Sequence, residues 1–140
     1  MRVSELARDL AEVIVLENLE ALQIDADRRV AFHSPCTLQH GQQLNGVVEE
    51  ILQRLGFTLT AVADSHLCCG SAGTYSILQP GLSQQLQKNK LRCLQAAGPD
   101  LIVTANVGCQ LHLESGAETG VKHWIELIDE SVAKVTDPLQ

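Results

Sequence analysis

The sequence predicts an α/β fold, a three-layer open parallel sheet of about four strands with helices on both faces. Short apolar segments of strand character alternate with longer segments of helical period along the chain, which is typical of parallel sheets with crossover helices. The run from Leu101 to Thr104 is apolar throughout, as expected for a strand that is buried on both faces. With 140 residues, 45% of them hydrophobic, the chain is expected to form one domain with a real core.

The first part of the chain predicts a helix, a linker and a strand. Apolar residues recur at helical spacing from Leu6 to Ile14, which predicts an amphipathic helix over residues 4–22 with Ser4 as its N-cap. Residues 1–28 are therefore expected to be a leading helix and linker. Residues 29–33 then predict a strand, which Ser34 and Pro35 end.

The middle of the chain repeats the alternation. Apolar residues over 47–55 predict a second helix, and Gly56 is placed to end it. The β-branched residues within 57–63 predict the second strand. Pro80 is placed to begin a long helix, and Gly98 with Pro99 is placed to end it.

The last third predicts two more strands and two helices. The apolar strand 101–104 is followed by a short helix around Leu111 and Leu113, which Gly116 ends. Residues 121–124 predict a fourth strand, and the final helix extends from Ile125 to Val132. Residues 136–140 are expected to be frayed.

Charge and hydropathy exclude several classes of function. The net charge of −7 argues against binding nucleic acid, because neutralising phosphates requires clustered Lys and Arg. No apolar run approaches ~20 residues, so no membrane span is expected. The charged N-terminal segment is unlike a signal peptide, and we expect a cytoplasmic protein with reduced cysteines. Between Arg29 and Lys88 the only cation is Arg54, so an anionic thiolate centre is expected to rely on backbone N–H groups.

Four cysteines are the strongest functional signal in the sequence. Cys68 and Cys69 are adjacent and follow the second predicted strand, whereas Cys36 follows the first and Cys109 the third. Because open parallel sheets place their ligands at the carboxyl ends of strands, we expect all four thiols to meet at one site. Cys93 lies at helical spacing with Leu94 and is expected to pack as a small hydrophobic residue outside that site.

The residue types favour a metal centre, and three interpretations remain open. Thiolates are the usual ligands of iron–sulfur clusters. Four thiolates also suit tetrahedral Zn²⁺, and a strained vicinal disulfide between Cys68 and Cys69 is the third interpretation. Neighbouring residues are expected to support the site, either by letting backbone approach sulfur or by donating to sulfur or metal. They are His33, His40, Gly70, Gly73, Asn106 and Gly108.

Four motifs of this sequence resemble those of the cysteine-rich CCG domain family. They are His33-Ser34-Pro35-Cys36, residues 38–42, Cys68-Cys69-Gly70-Ser71-Ala72-Gly73-Thr74-Tyr75, and Asn106-Val107-Gly108-Cys109. Members of that family occur in heterodisulfide reductase, in anaerobic glycerol-3-phosphate dehydrogenase and among lactate-utilisation proteins. Within it, the likeness is to the C-terminal part of iron–sulfur subunits of the glycolate oxidase type. One departure is that Asn106 stands where the family's fullest motif has the first cysteine of a CxxC.

The resemblance implies an electron-transfer domain that is one piece of a longer iron–sulfur subunit. Matched residue by residue, it implies Cys36, Cys68, Cys69 and Cys109 as metal ligands, an iron–sulfur cluster of the 4Fe–4S type as cofactor, and no catalytic residue. The implied partners are a flavin-containing subunit that oxidises glycolate to glyoxylate and the remainder of the iron–sulfur subunit. Peripheral association with the inner membrane, through the complex, is implied as well. The alternatives are a zinc-binding or metal-free assembly module of such a complex and a thiol–disulfide switch.

Overall fold

The computed structural model describes residues 3–132, which form a four-stranded, all-parallel sheet surrounded by helices. The strand order is β2-β1-β3-β4, so β1 and β3 are the central strands. The strands are β1 Arg29–His33, β2 Thr58–Leu59, β3 Leu101–Thr104 and β4 Val121–His123. The helices are α1 Val3–Leu6, α2 Leu10–Ile14, α3 Val47–Arg54, α4 Tyr75–Leu78, α5 Pro80–Gln95, α6 Val107–Glu114 and α7 Trp124–Ser131. A 3-10 turn at Leu19–Ala21 and a π-helical turn at Thr37–Gly41 complete the elements.

Each face of the sheet is covered by its own apolar core, which confirms the predicted layers. Side chains alternate along a strand, so Val30 and Phe32 of β1 face one way and Ala31 faces the other. The first core contains residues of α3 and α7, and the second contains residues of α5 and α6. The second core also contains Cys69 and Cys109.

The four predicted strands are present, with one clear difference in length. The edge strand β2 spans only Thr58–Leu59, whereas the sequence predicts a strand over residues 57–63. Gly56 follows α3 with a φ of +95°, a conformation that favours glycine, and it ends that helix as predicted. The C-terminal residues 136–140, predicted to be frayed, lie outside the described residues.

The prediction of one helix over residues 4–22 is wrong. The segment divides into α1, α2 and the 3-10 turn because Asp9 begins a new helix. The Asp9 side chain accepts a hydrogen bond from the Ala11 N–H, and the Glu12 carboxylate accepts one from the Asp9 N–H. This reciprocal capping satisfies the backbone groups at the start of α2 and fixes Asp9 in an extended conformation that a continuous helix does not allow.

The buried face of α5 is partly polar. Ser83, Gln87 and Lys90 are buried on it, whereas Leu82 is 49% exposed. Leu91 and Leu94 supply the apolar contacts near the C-terminal end of the helix. No helix within residues 3–132 combines the length and the apolar character that crossing a bilayer requires.

Candidate metal centre

All four predicted cysteine ligands lie on one cleft with a volume of about 640 Å³. Cys36 follows β1, and Cys109 lies in the first turns of α6, directly after β3. Cys68 and Cys69 are in the loop that connects β2 with α4. The fold therefore gathers three separate segments at the carboxyl edge of the sheet, where parallel sheets place their ligands. The cleft is lined by Pro35, Cys36, Thr37, Cys68, Cys69, Ser71, Ala72, Gly73, Ser76, Asn106, Gly108, Cys109, Leu111, His112 and Ser115.

Cys69 and Cys109 form a buried pair at the back of the cleft. Ser71 Oγ lies 3.4 Å from Cys69 Sγ and 3.8 Å from Cys109 Sγ, within hydrogen-bond distance for sulfur. A hydrogen bond from Cys109 lowers the pKa of the Cys69 thiol despite its burial. The same contact and burial raise the pKa of Cys109. Of the two thiols, Cys69 is therefore the one that loses its proton more readily.

Cys36 and Cys68 lie nearer the mouth of the cleft. Cys36 is exposed and Cys68 is half-buried. The Gly70 N–H donates a hydrogen bond to Cys68 Sγ at 3.3 Å. Burial raises the pKa of Cys68, and nearby Cys36 and Cys69 raise it further because adjacent thiolates repel one another. A cation in the cleft would offset that repulsion by attracting both thiolates, and it would therefore favour the ionised form of the thiols.

The loop after Cys69 is held against α5 through Gly70. Ser83 Oγ donates to the Gly70 carbonyl at 2.7 Å and lies 3.3 Å from His112 Nε2. Gly70 has a φ of +94°, and a Cβ there would lie 2.5 Å from the Ser83 carbonyl oxygen. The glycine therefore allows close approach to α5, in addition to placing its N–H against Cys68.

The other predicted supporting residues divide into those at the cleft and one that is remote. Gly73, Asn106 and Gly108 line the cleft. Asn106 is the N-cap of α6, where its Oδ1 accepts a hydrogen bond from the Cys109 N–H at 3.1 Å. His33 is buried behind the cleft, whereas His40 is exposed in the π-helical turn and is not part of the cleft lining among the described residues.

Lys90 is a residue near the site that sequence reasoning missed. It is fully buried, and its Nζ donates to the backbone carbonyls of Asp64 and Ser65 in the loop that leads to Cys68. Burial lowers the pKa of this ammonium group, and Cys93, Cys69 and Cys36 are near enough to oppose the shift. Lys90 thus adds a cation from a distant part of the sequence to the backbone N–H groups on which a thiolate centre here is expected to rely.

Cys93 lies half-buried on α5, and within the described chain it is not among the residues that line the cleft. Among the described residues it belongs to neither apolar core, so its expected role as a packing residue stays a prediction.

The donor set fits a thiolate-bound metal centre. Beside the four sulfurs, the carboxyl ends of β1 and β3 hold buried polar atoms that have no hydrogen-bond partner within the described chain. These atoms are both ring nitrogens of His33, Ser34 Oγ and Thr104 Oγ1. Buried polar atoms are normally paired, and a ring nitrogen of His33 lies within 4.8 Å of the Cys69 and Cys109 sulfurs, so this edge of the sheet is suited to binding a ligand.

Comparisons with known proteins agree with the cysteine pattern. Residues 30–114 match the family model of the cysteine-rich domain, CCG. The chain is 57% identical over 133 residues to the glycolate oxidase iron–sulfur subunit of Escherichia coli (strain K12), covering 95% of this chain and 33% of that protein. It is 25% identical over 131 residues to lactate utilization protein A of Shouchella clausii, covering 89% of this chain and 54% of that protein. The corresponding protein of Geobacillus kaustophilus is 29% identical over 113 residues, covering 78% and 45%. The chain thus spans about a third to a half of the length of these relatives.

Proposed function

The chain belongs to the cysteine-rich CCG domain family, and on that premise we propose that its cleft holds an iron–sulfur cluster in an electron-transfer subunit. The observation that carries this proposal is the convergence of Cys36, Cys68, Cys69 and Cys109, from three separate segments of the chain, on one cleft. A cluster of the 4Fe–4S type would supply one-electron oxidation and reduction when bound. No acid, base or nucleophile is required of the chain for that role.

The protein's own residues would bind such a cluster and adjust its environment. Cys69 and Cys109 would bind from the buried side and Cys36 and Cys68 from the open side. The Gly70 N–H donates to Cys68 Sγ, and hydrogen bonds to ligand sulfur help to set the potential of such centres. The buried charge of Lys90 would favour the more negative, reduced state of the centre.

We place this domain in an oxidase or dehydrogenase complex that acts on a 2-hydroxy acid. The names of the relatives support this assignment, since one is an iron–sulfur subunit of glycolate oxidase and others are lactate utilization proteins. In the proposed complex, a flavin-containing subunit oxidises glycolate to glyoxylate and this domain accepts the electrons. The remainder of a longer iron–sulfur subunit is the second proposed partner. The chain alone would not turn over the substrate, because the flavin performs that chemistry.

A mononuclear zinc site is the second candidate. One nitrogen of His33 and the sulfurs of Cys69 and Cys109 all lie within 4.8 Å of one another, and all three residues are buried. Ligands held about 2.0–2.3 Å from one ion at tetrahedral angles lie about 3.4–3.8 Å apart, so small side-chain movements would close this group on a single ion.

Anaerobic reconstitution with iron and sulfide tests the proposed function. We expect a brown protein with broad visible absorbance and about four iron and four sulfide per chain. Cys69→Ser should abolish iron uptake because it removes the buried thiolate. Cys93→Ser is the matched control, and it should take up iron as the wild type does.

The other outcomes identify the alternatives. A colourless protein with stoichiometric zinc would favour the zinc site. A colourless, metal-free protein whose properties change on reduction would favour the thiol–disulfide switch. Equal losses of iron in Cys69→Ser and Cys93→Ser would contradict the assignment of the ligands.

A further inference from the structure

His33 is the most unusual buried side chain near the cleft. It ends β1, it is 1% exposed, and its ring nitrogens have no hydrogen bond of ordinary geometry within the described chain, apart from a weak interaction with the Cys69 thiol. A neutral imidazole carries one donor and one acceptor, and leaving a buried polar group unpaired costs about 1–3 kcal/mol. A fold that merely required a side chain of this size could use an apolar residue at lower cost. The weakly paired nitrogens, which lie beside two sulfurs, therefore favour a ligand role for His33.

The period of β1 directs His33 toward the sulfurs. Ala31, two residues earlier, belongs to the core that also contains Cys69 and Cys109. Alternation along the strand places His33 on that same face. A ring nitrogen of His33 and both sulfurs lie within 4.8 Å of one another. His33 is thus close to both sulfurs of the buried cysteine pair.

We propose that His33 is a direct metal ligand, which makes the centre a mixed nitrogen and sulfur site with Cys69 and Cys109 on its buried side. The inference rests on the proposed function only in that the cleft binds metal. Asn106 is not the ligand at this side of the centre, because its Oδ1 accepts a hydrogen bond from the Cys109 N–H at the start of α6. A neutral imidazole adds no negative charge to the site, unlike a further thiolate.

Cobalt(II) added anaerobically to the thiol-reduced chain tests the ligand role without requiring a cluster. The wild type should bind Co²⁺ with sulfur-to-metal charge-transfer absorbance. His33→Leu should weaken binding by at least about tenfold and alter the ligand-field bands, since even residues that only orient a ligand contribute 10–100-fold to metal affinity. His40→Leu is the matched control, because His40 also flanks Cys36 but lies exposed outside the cleft. Equal affinities and spectra for the two variants, or no cobalt binding by the wild type, would overturn the proposal.

Thermal unfolding of the metal-free proteins separates a ligand from a structural histidine. Leucine is similar in size and has no polar atom to leave unpaired, so metal-free His33→Leu should unfold at the wild-type temperature or above it. A clearly lower unfolding temperature would show that the fold itself uses the imidazole, and it would contradict the proposal.

Failure of the proposed function would look different from failure of this ligand assignment. A wild type that binds cobalt through His33 but takes up no iron and sulfide would disprove the iron–sulfur function and leave His33 as a ligand. In the second case the wild type takes up iron and sulfide, but His33→Leu binds cobalt as tightly as His40→Leu does. That result would support the iron–sulfur function and disprove His33 as a ligand.

Discussion

Cys69 and Cys109 show how single residues prepare the cleft for a cation. The pKa of Cys69 is lowered chiefly by the hydrogen bond from Cys109, while burial and the same contact raise the pKa of Cys109. A metal would bind both residues as thiolates, so the proton held between Cys69 and Cys109 would have to leave. Metal binding at this pair is thus expected to release a proton, which is a general property of thiolate ligands.

Gly70 allows a prediction at the scale of one residue. A Cβ at this position would lie 2.5 Å from the Ser83 carbonyl oxygen, and φ is +94°. We expect Gly70→Ala to lower the free energy of unfolding by at least about 2 kcal/mol, since backbone strain of this kind costs about 1–3 kcal/mol before any clash. Urea denaturation of the metal-free chain measures the change.

Gly73 is the matched control for this prediction. Its φ is +56°, but a Cβ there would have no heavy atom within 4 Å. Gly73→Ala should therefore cost only the backbone term, about 1 kcal/mol. A cost for Gly70→Ala no greater than that for Gly73→Ala would show that the loop moves freely away from α5.

The sequence could place the cysteines but could not rank the histidines. Both His33 and His40 flank Cys36, and spacing alone treats them alike. Strand alternation, which places His33 on the face of Ala31, is the signal that separates them. His40 is removed from the cleft by the π-helical turn, a rare element that no residue pattern in this sequence indicates.

Among the elements, the sequence predicts the central strands better than the ends of the chain. The apolar segments at β1 and β3 have one stable arrangement because they are buried on both faces. The leading segment has weaker constraints, and a local capping interaction at Asp9 overrides its helical period. Leu6, Leu10, Val13 and Leu16 are all between 42% and 84% exposed, so tertiary packing does little to enforce a single helix there.

The inner face of helix α5 is difficult to predict because tertiary contacts, and not local pattern, decide which side chains are buried. That face is partly polar. Ser83 binds the Gly70 carbonyl, and Gln87 donates to Ser115 Oγ at 2.8 Å. Lys90 binds the carbonyls of Asp64 and Ser65. These side chains form hydrogen bonds with segments that are distant in sequence, so no local pattern could have predicted their burial.

Lys90 permits a prediction about pH and stability that belongs to this helix. Burial lowers its pKa in the folded chain below the usual 10.5. Between these two pKa values the unfolded chain binds more protons than the folded chain, so Lys90 makes the free energy of unfolding rise with pH. We expect the free energy of unfolding of Lys90→Met not to show this rise. The wild type should therefore gain stability relative to Lys90→Met as pH increases toward 10.5. Urea denaturation at a series of pH values, with reductant present, measures it.

Lys88→Met is the control, because Lys88 is an exposed lysine on the same helix. Its pH profile should follow that of the wild type. Parallel profiles for wild type and Lys90→Met would mean that Lys90 keeps an ordinary pKa in the folded chain.

At the scale of the whole molecule, parallel topology is what makes the site predictable. Three loops must reach the same edge when the strands that precede them run in the same direction, whatever their distance in sequence. The depth of each thiol was not predictable in this way. Cys69 and Cys109 enter the core between β3, α5 and α6, whereas Cys36 stays exposed, and this difference follows from how the helices pack.

Alkylation by iodoacetamide should report this convergence directly. In the metal-free chain, exposed Cys36 should react first, half-buried Cys68 and Cys93 more slowly, and buried Cys69 and Cys109 last. Metal loading should then protect Cys36 and Cys68, because bound thiolates are no longer available as nucleophiles. Cys93 is an internal control, since it is half-buried like Cys68 but lies on α5 outside the cleft lining, and its rate should not change. If loading left Cys36 as reactive as before, only the buried side of the cleft would bind metal, and a centre with ligands from all three loops would be disproved.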